Sequence, residues 1–276
     1  MANEIALRPS YWASVSGGKD SLYMLNLILH NLDKYPLNGV CHFELEIDYP
    51  FIHEVIDYME SECKRFGIPF VRFKPRKSWQ ELYDRYGFPT RVARWCNGKY
   101  KLDCAKQQEE WLNSLGYYTV AYIGYCADEE KRFSKRALLN KTERYPLVEE
   151  GIMEDSILEW AKTQPIFNHF YETQRRCGCM YCPMSSYMNF AYLYKYYPDN
   201  FSFMIEKMRE TEKIREQELG RPFSVISSNP KYNADYLENI IKTKWLGKLE
   251  EKEREYELRH QIQSKSRGRR RLCGSR

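Results

Sequence analysis

The chain has 276 residues, with 43 Lys and Arg against 38 Asp and Glu, and a formal net charge of +5. Apolar residues at 43% and aromatics at 15% suffice for a sizeable core, which excludes a chain disordered throughout. After residue 263 come Lys265, Arg267, Arg269, Arg270, Arg271 and Arg276 with no acid, so the charge sits in the tail and the body before it is close to neutral.

In chain order, residues 11–15 are short and apolar and run into Ser16-Gly17-Gly18-Lys19-Asp20-Ser21, after which Leu22, Leu25, Ile28, Leu29 and Leu32 recur at helical spacing. That predicts strand, glycine turn, helix. Residues 39–45 read as a second strand, 51–66 as a helix stopped at Gly67-Ile68-Pro69, and 70–73 as a third strand. A helix over 106–115, a strand over 119–123, a short strand over 145–148 and a helix over 154–161 follow. Alternation of this kind predicts an α/β fold: an open, mostly parallel sheet with helices on both faces, followed by a helical C-terminal region over 185–197, 201–219 and 236–260. The expected organisation is a nucleotide-binding α/β domain over 1–165, a cysteine-bearing helical region over 166–263, and a disordered basic tail over 264–276.

No run of about 18 uncharged apolar residues occurs, and the first residues lack the basic-then-apolar order of a signal peptide, so the expectation is a soluble cytoplasmic protein without membrane partners. Nine Cys are odd in number for a disulfide framework. Thiols in a reducing compartment are buried, metal-bound or reactive.

The glycine turn carries the first chemistry. Backbone N–H groups at a helix start favour anions, and adjacent glycines let a phosphate approach without a Cβ in the way. It is not a Walker A loop, because Lys19 is followed by Asp20 rather than Ser or Thr, and it is not G-x-G-x-x-G. An ordinary glycine turn is the plain alternative for a single Gly-Gly pair.

The complete hexapeptide resembles the Ser-Gly-Gly-x-Asp-Ser signature of the PP-loop ATP pyrophosphatase superfamily, at the first strand-to-helix turn. Two further segments resemble the phosphoadenosine phosphosulfate (PAPS) reductase family within it. One is Arg91-Val92-Ala93-Arg94-Trp95-Cys96 with Lys99 and Lys101 after it; the other is Gly124-Tyr125-Cys126-Ala127-Asp128-Glu129-Glu130-Lys131-Arg132 following a strand. These three loops are expected to converge on one pocket at the carboxyl ends of the strands. Tyr145-Pro146-Leu147 matches the family's Tyr-Pro-Leu, with Glu149 and Glu150 where a Trp often follows. The resemblance covers roughly residues 10–185. It implies an adenine nucleotide, ATP with Mg, held by Ser16, Gly17, Gly18, Lys19, Asp20, Ser21, Arg91, Arg94, Gly124, Asp128 and Glu129, with Lys19, Asp20 and Arg132 in catalytic roles. The reaction expected is activation of an acceptor at the α-phosphate with release of pyrophosphate, in the service of sulfur transfer as in the DNA-phosphorothioation type. For each cation taken alone, a solvated surface residue is the plain alternative.

Cys177-Gly178-Cys179-Met180-Tyr181-Cys182-Pro183 puts three thiols in six residues, where composition predicts about 0.2. One loop so built can wrap a tetrahedral ion or a cluster corner. The fourth ligand is expected among Cys96, Cys104, Cys126 and His169, with Cys96 preferred. The family resemblance favours an iron–sulfur cluster over zinc.

Two other readings stand beside the first. Sulfonucleotide reduction to sulfite would use Cys273 as nucleophile, although Cys273-Gly274 lacks the Glu and His of the reductase motif. A nucleotide-sensing module without turnover would bind nucleic acid through the basic tail by charge alone. A nucleic acid acceptor, a sulfur-donor protein and a second copy of the chain are the partners these readings allow. The aromatics over 181–203 are expected to pack a core.

Overall fold

The computed structural model describes residues 7–130, 132 and 142–273, with side chains up to residue 259. The chain folds as two compact units: residues 1–85 with 94–167, and residues 86–93 with 168–276.

The first unit is built on five parallel strands: β1 (Arg8–Val15), β2 (Gly39–Phe43), β3 (Phe70–Phe73), β4 (Tyr117–Tyr122) and β5 (Glu143–Arg144), in the order β3-β2-β1-β4-β5. Between them run α1 (Lys19–Leu29), α2 (Pro50–Arg65), α3 (Trp79–Tyr86), a π-helical turn (Cys96–Lys101) and α4 (Leu102–Ser114); α5 (Pro146–Glu149) and α6 (Glu154–Ala161) follow β5. The chain lays β2 and β3 outward on one side of β1, then crosses to place β4 on the other. A reversal of this kind opens a crevice at the carboxyl ends of the two central strands, where ligands of open α/β sheets bind. The turns after β1 and β4 both begin there.

Core packing follows the strand alternation. Trp12 of β1, Cys41 of β2 and Leu112 of α4 form one buried cluster, flanked by Phe43, Val71, Phe73 and Tyr117. Trp12 satisfies its indole N–H on Ser10 Oγ at 2.8 Å. On α1, Leu22, Leu25, Ile28 and Leu29 of the predicted face are buried, and Met24 with them, while Leu32 lies beyond the helix and is half-buried.

Residues 145–148, expected as a strand, form α5 instead: Pro146 occupies its first turn, where its fixed φ suits a helix and its missing N–H costs nothing. The strand there is the two-residue β5 immediately before. Among the described residues no helix is long and apolar enough to cross a membrane.

The second unit is helical: α7 (Phe170–Thr173), α8 (Tyr187–Tyr196), α9 (Pro198–Leu219), α10 (Ala234–Ile240), a π-helical turn (Ile241–Trp245) and α11 (Leu246–Cys273). The aromatic run behaves as a core, with Phe190, Tyr192 and Phe201 almost fully buried. Residues 86–93 join this unit because Phe88, 1% exposed, donates its N–H to Thr211 Oγ1 at 2.8 Å. The backbone of α11 is helical through Cys273. The side chains of the basic tail and of Cys273, expected as a disordered tail and a nucleophile, lie outside the described residues.

Candidate functional site

Ser16 to Ser21 leave the end of β1 and enter α1. Gly17 has φ +73°, and a Cβ there would lie 2.7 Å from Ile52 Cγ2 and 3.3 Å from the Ile52 carbonyl, so only glycine fits. Gly18 caps α1 in an extended conformation without a side-chain cap, leaving the first-turn amides to whatever enters the turn. Ser16 is exposed. Ser21 is buried and accepts the Ser16 N–H at 3.2 Å while donating to the Gly18 carbonyl at 2.9 Å, so it braces the turn.

Lys19 points into the protein. Its side chain is 2% exposed and its ammonium lies 2.7 Å from Asp20 Oδ1 and 3.0 Å from Glu154 Oε1. Burial alone would lower its pKa; Asp20 and Glu154 more than offset this and hold it above the ordinary lysine value. Burial pushes the Asp20 carboxyl up, Lys19 opposes the shift, and the negative charges of Glu154 and Glu129 add to it.

The segment after β4 closes on the same place. A Cβ on Gly124 would stand 3.2 Å from the Asp20 carbonyl, so this glycine permits the close approach of the two loops. Glu129, 8% exposed, accepts the Cys126 N–H at 3.2 Å and the Arg132 guanidinium at 2.5 Å. Arg132 also lies over the Tyr125 ring, 4.7 Å from its centroid. Asp128 Oδ1 accepts the Glu154 N–H at 3.3 Å, tying this segment to the start of α6. Cys126 is buried among Asp20 and Glu129, and burial holds its thiol protonated.

Two residues here escaped the sequence reading. Glu154 is one carboxylate among many in a charged chain, and nothing local marks it as the partner of a lysine 135 positions earlier. His42, 2% exposed, bonds through Nδ1 to the Val15 carbonyl at 3.0 Å at the very end of β1. A carbonyl only accepts, so Nδ1 carries the proton and Nε2 is a bare acceptor, with no hydrogen-bond partner among the described residues. Burial lowers the His42 pKa to about 4.

Two of the three loops expected to converge are brought together within the first unit. Ser16–Ser21 and the Gly124–Arg132 stretch meet at Asp20 and Gly124. Arg91 belongs to the second unit, where its Nε donates to the Pro183 carbonyl at 3.1 Å. Arg94 is exposed on the first unit, just before the π-helical turn that holds Cys96.

The thiol loop belongs to the second unit. Among the described residues no three of His, Cys, Asp or Glu are grouped to hold a metal ion. Cys177 Sγ faces the Gly178 carbonyl at 3.4 Å, and Cys96 lies in the other unit. His169 has its Nε2 on the Tyr192 hydroxyl at 2.8 Å, and Cys104 is fully buried with its thiol pushed up to about 12 by desolvation. Cys177, Cys179 and Cys182 lie within one loop of the second unit, and Cys96 within the π-helical turn of the first.

A parallel α/β sheet with a glycine turn at its switch point, backed by a Lys–Asp–Glu group, defines the class: an α/β protein with a glycine turn at the carboxyl ends of its strands. The phosphoadenosine phosphosulfate reductase domain profile matches residues 10–184, well over half of the chain, and the chain belongs to that family. It is 26% identical over 211 residues to an uncharacterized protein of Methanocaldococcus jannaschii, covering 71% of this chain and 47% of the relative, so it spans about half the relative's length. Among solved structures, the U34-tRNA thiolase NcsA from Methanococcus maripaludis with its [4Fe-4S] cluster aligns at 15% identity with a TM-score of 0.36, covering 88% of this chain and 76% of that one.

Proposed function

We propose that the first unit binds ATP as its Mg complex on the Ser16–Ser21 turn and activates an acceptor for sulfur transfer. An acceptor oxygen attacks the α-phosphorus, the bond to the β-phosphate oxygen breaks, and pyrophosphate leaves with the electron pair. A sulfur nucleophile then displaces AMP from the adenylated acceptor. The observation that carries this reading is the turn itself: Gly17 in a conformation and a space that admit no side chain, opening onto uncapped amides and closed from behind by Gly124.

The charges explain the need for the metal complex. Lys19 and Arg132 stand against Asp20, Asp128, Glu129 and Glu154, so the site is net negative before any phosphate arrives. A bare polyphosphate would be repelled; Asp20 and Asp128 would hold a divalent ion, whose positive charge would offset that repulsion. ATP binding is therefore expected in Mg and lost in excess chelator.

The test is incubation with labelled ATP, scored for AMP and pyrophosphate with and without DNA or RNA. A Gly17→Asp, Lys19→Ala double variant that keeps its circular dichroism spectrum yet still releases pyrophosphate refutes the assignment. The family name favours one second reading, reduction of a sulfonucleotide to sulfite with Cys273 as nucleophile. Sulfite formed in the presence of thioredoxin and abolished by Cys273→Ser selects it; under the first reading that substitution is silent. An iron–sulfur cluster, or zinc in its place, would be held by Cys177, Cys179 and Cys182 with a fourth ligand, for which Cys96 is the choice. Stoichiometric iron or zinc in anaerobically prepared protein, lost in Cys179→Ser, supports that reading, and metal-free protein removes it.

A further inference from the structure

Lys19 and Asp20 are neighbours in sequence, yet only one of them faces outward. The Lys19 side chain is 2% exposed and that of Asp20 27%. Glu154, at the start of α6, has 11% of its side chain exposed, whereas Asp128 is an exposed residue. The four charged groups therefore form two layers. Lys19 and Glu154 make an inner ion pair at 3.0 Å, and Asp20 and Asp128 are the outer carboxylates.

Each outer carboxylate is tied to the inner layer by one oxygen. Asp20 Oδ1 accepts from the Lys19 ammonium at 2.7 Å, and Asp128 Oδ1 accepts the Glu154 N–H at 3.3 Å. Among the described residues, neither Asp20 Oδ2 nor Asp128 Oδ2 makes a hydrogen bond. Both ties lead back to Glu154, one through its side chain by way of Lys19 and the other through its backbone. Its own place does not depend on Lys19. Helix α6 buries Ile157 and Ala161, and Trp160 meets the Tyr23 ring of α1 edge-on, with centroids 4.9 Å apart. Burial opposes the charge on Lys19, and Asp20 and Glu154 more than offset it, so the inner pair stays ionised. So enclosed a cation offers a ligand almost no surface; a charge fixed behind an exposed carboxylate works by orienting that carboxylate.

We propose that Glu154 is a positioning residue of the nucleotide site: its carboxylate anchors Lys19, which orients Asp20, its amide orients Asp128, and the two Oδ2 atoms are thereby presented to the divalent ion of the nucleotide complex. Lys19 in this arrangement acts on Asp20 rather than on phosphate. The proposal rests on the reading of the Ser16–Ser21 turn as a site for MgATP.

Glu154→Asp separates position from charge, because it keeps the carboxylate and the amide but withdraws the carboxylate from Lys19 by one methylene. The full chain is compared as parent, Glu154→Asp, Lys19→Met and the double variant, each with its melting curve recorded. Should Lys19→Met not fold, Lys19→Gln supplies the neutral background. Mn²⁺ alone is titrated by its electron paramagnetic resonance signal, and MgATP by calorimetry. In the parent background Glu154→Asp is expected to weaken Mn²⁺ and MgATP binding about fivefold; with Lys19 replaced, the anchor has nothing to hold and the change is expected to stay within about twofold. A purely structural role lowers the melting temperature without this dependence on Lys19. Equal losses in both backgrounds, no loss in the parent background, or a parent that binds neither Mn²⁺ nor MgATP overturns the proposal. Mn²⁺ binding with the Lys19-dependent loss, in a protein that binds no ATP, upholds the positioning of the two carboxylates and overturns the nucleotide reading instead. MgATP binding that ignores Glu154→Asp does the reverse.

Discussion

Lys19 shows how much one side chain can hold. Replacing it by Met removes the cation that Asp20 and Glu154 share, and breaking a buried pair from one side costs about 3–5 kcal/mol. Urea denaturation is expected to show that loss, and Glu154→Leu in the same chain to recover part of it; additive losses would mean the two do not interact. Gly17→Ala is expected to cost about 1–3 kcal/mol, from the positive φ and the 2.7 Å approach to Ile52, and to abolish ATP binding. His42 supplies a pH test. Its folded pKa, about 4, lies below the ordinary 6.5, so between those values the unfolded chain binds a proton that the folded one refuses. Stability from this group is whole above pH 6.5 and falls as pH drops towards 4, by about 3 kcal/mol. Asp48, raised to about 6 by burial, titrates in the opposite sense over part of the window. The measurement is therefore the difference between parent and His42→Gln melts against pH, and a flat difference disproves the assignment. None of these partners was legible in sequence: Ser16 to Ser21 is a local pattern, whereas Glu154 and His42 acquire meaning only from strands and helices that bring distant positions together.

At the scale of elements, alternating strands and helices were readable because burial on a sheet or helix face imposes a period. The exceptions have local causes. Pro146 turned an expected strand into α5, and the π-helical turns at Cys96–Lys101 and Ile241–Trp245 leave no mark in a periodicity of 3.6. In the loop between α9 and α10, Glu212, 6% exposed, accepts the Val225 and Ala234 amides, each at 3.1 Å, and Glu216 accepts the Phe223 amide at 3.2 Å. Glu212→Ala leaves both amides unsatisfied. A loss of about 2 kcal/mol is expected, with faster hydrogen exchange at Val225 and Ala234; unchanged exchange there would show that the loop is held by its own Ser224 turn instead.

For the molecule as a whole, charge separates the basic tail from a nearly neutral body. Truncation before Ser264 removes six cations, so if the tail meets a single strand, the slope of log affinity against log salt falls by as much as about four. An unchanged slope assigns any nucleic acid binding to the body. Sequence by itself determined the parallel α/β class, the glycine turn at its first strand end and the family to which 10–184 belong, because each depends on spacing within a few turns of chain. Tertiary structure decided what the turn's lysine pairs with, that Arg91 packs in the second unit, and that the Trp245 indole N–H is buried without a hydrogen-bond partner among the described residues. Those outcomes depend on contacts between residues tens to more than a hundred positions apart, where the direction of a side chain rather than its identity sets the chemistry.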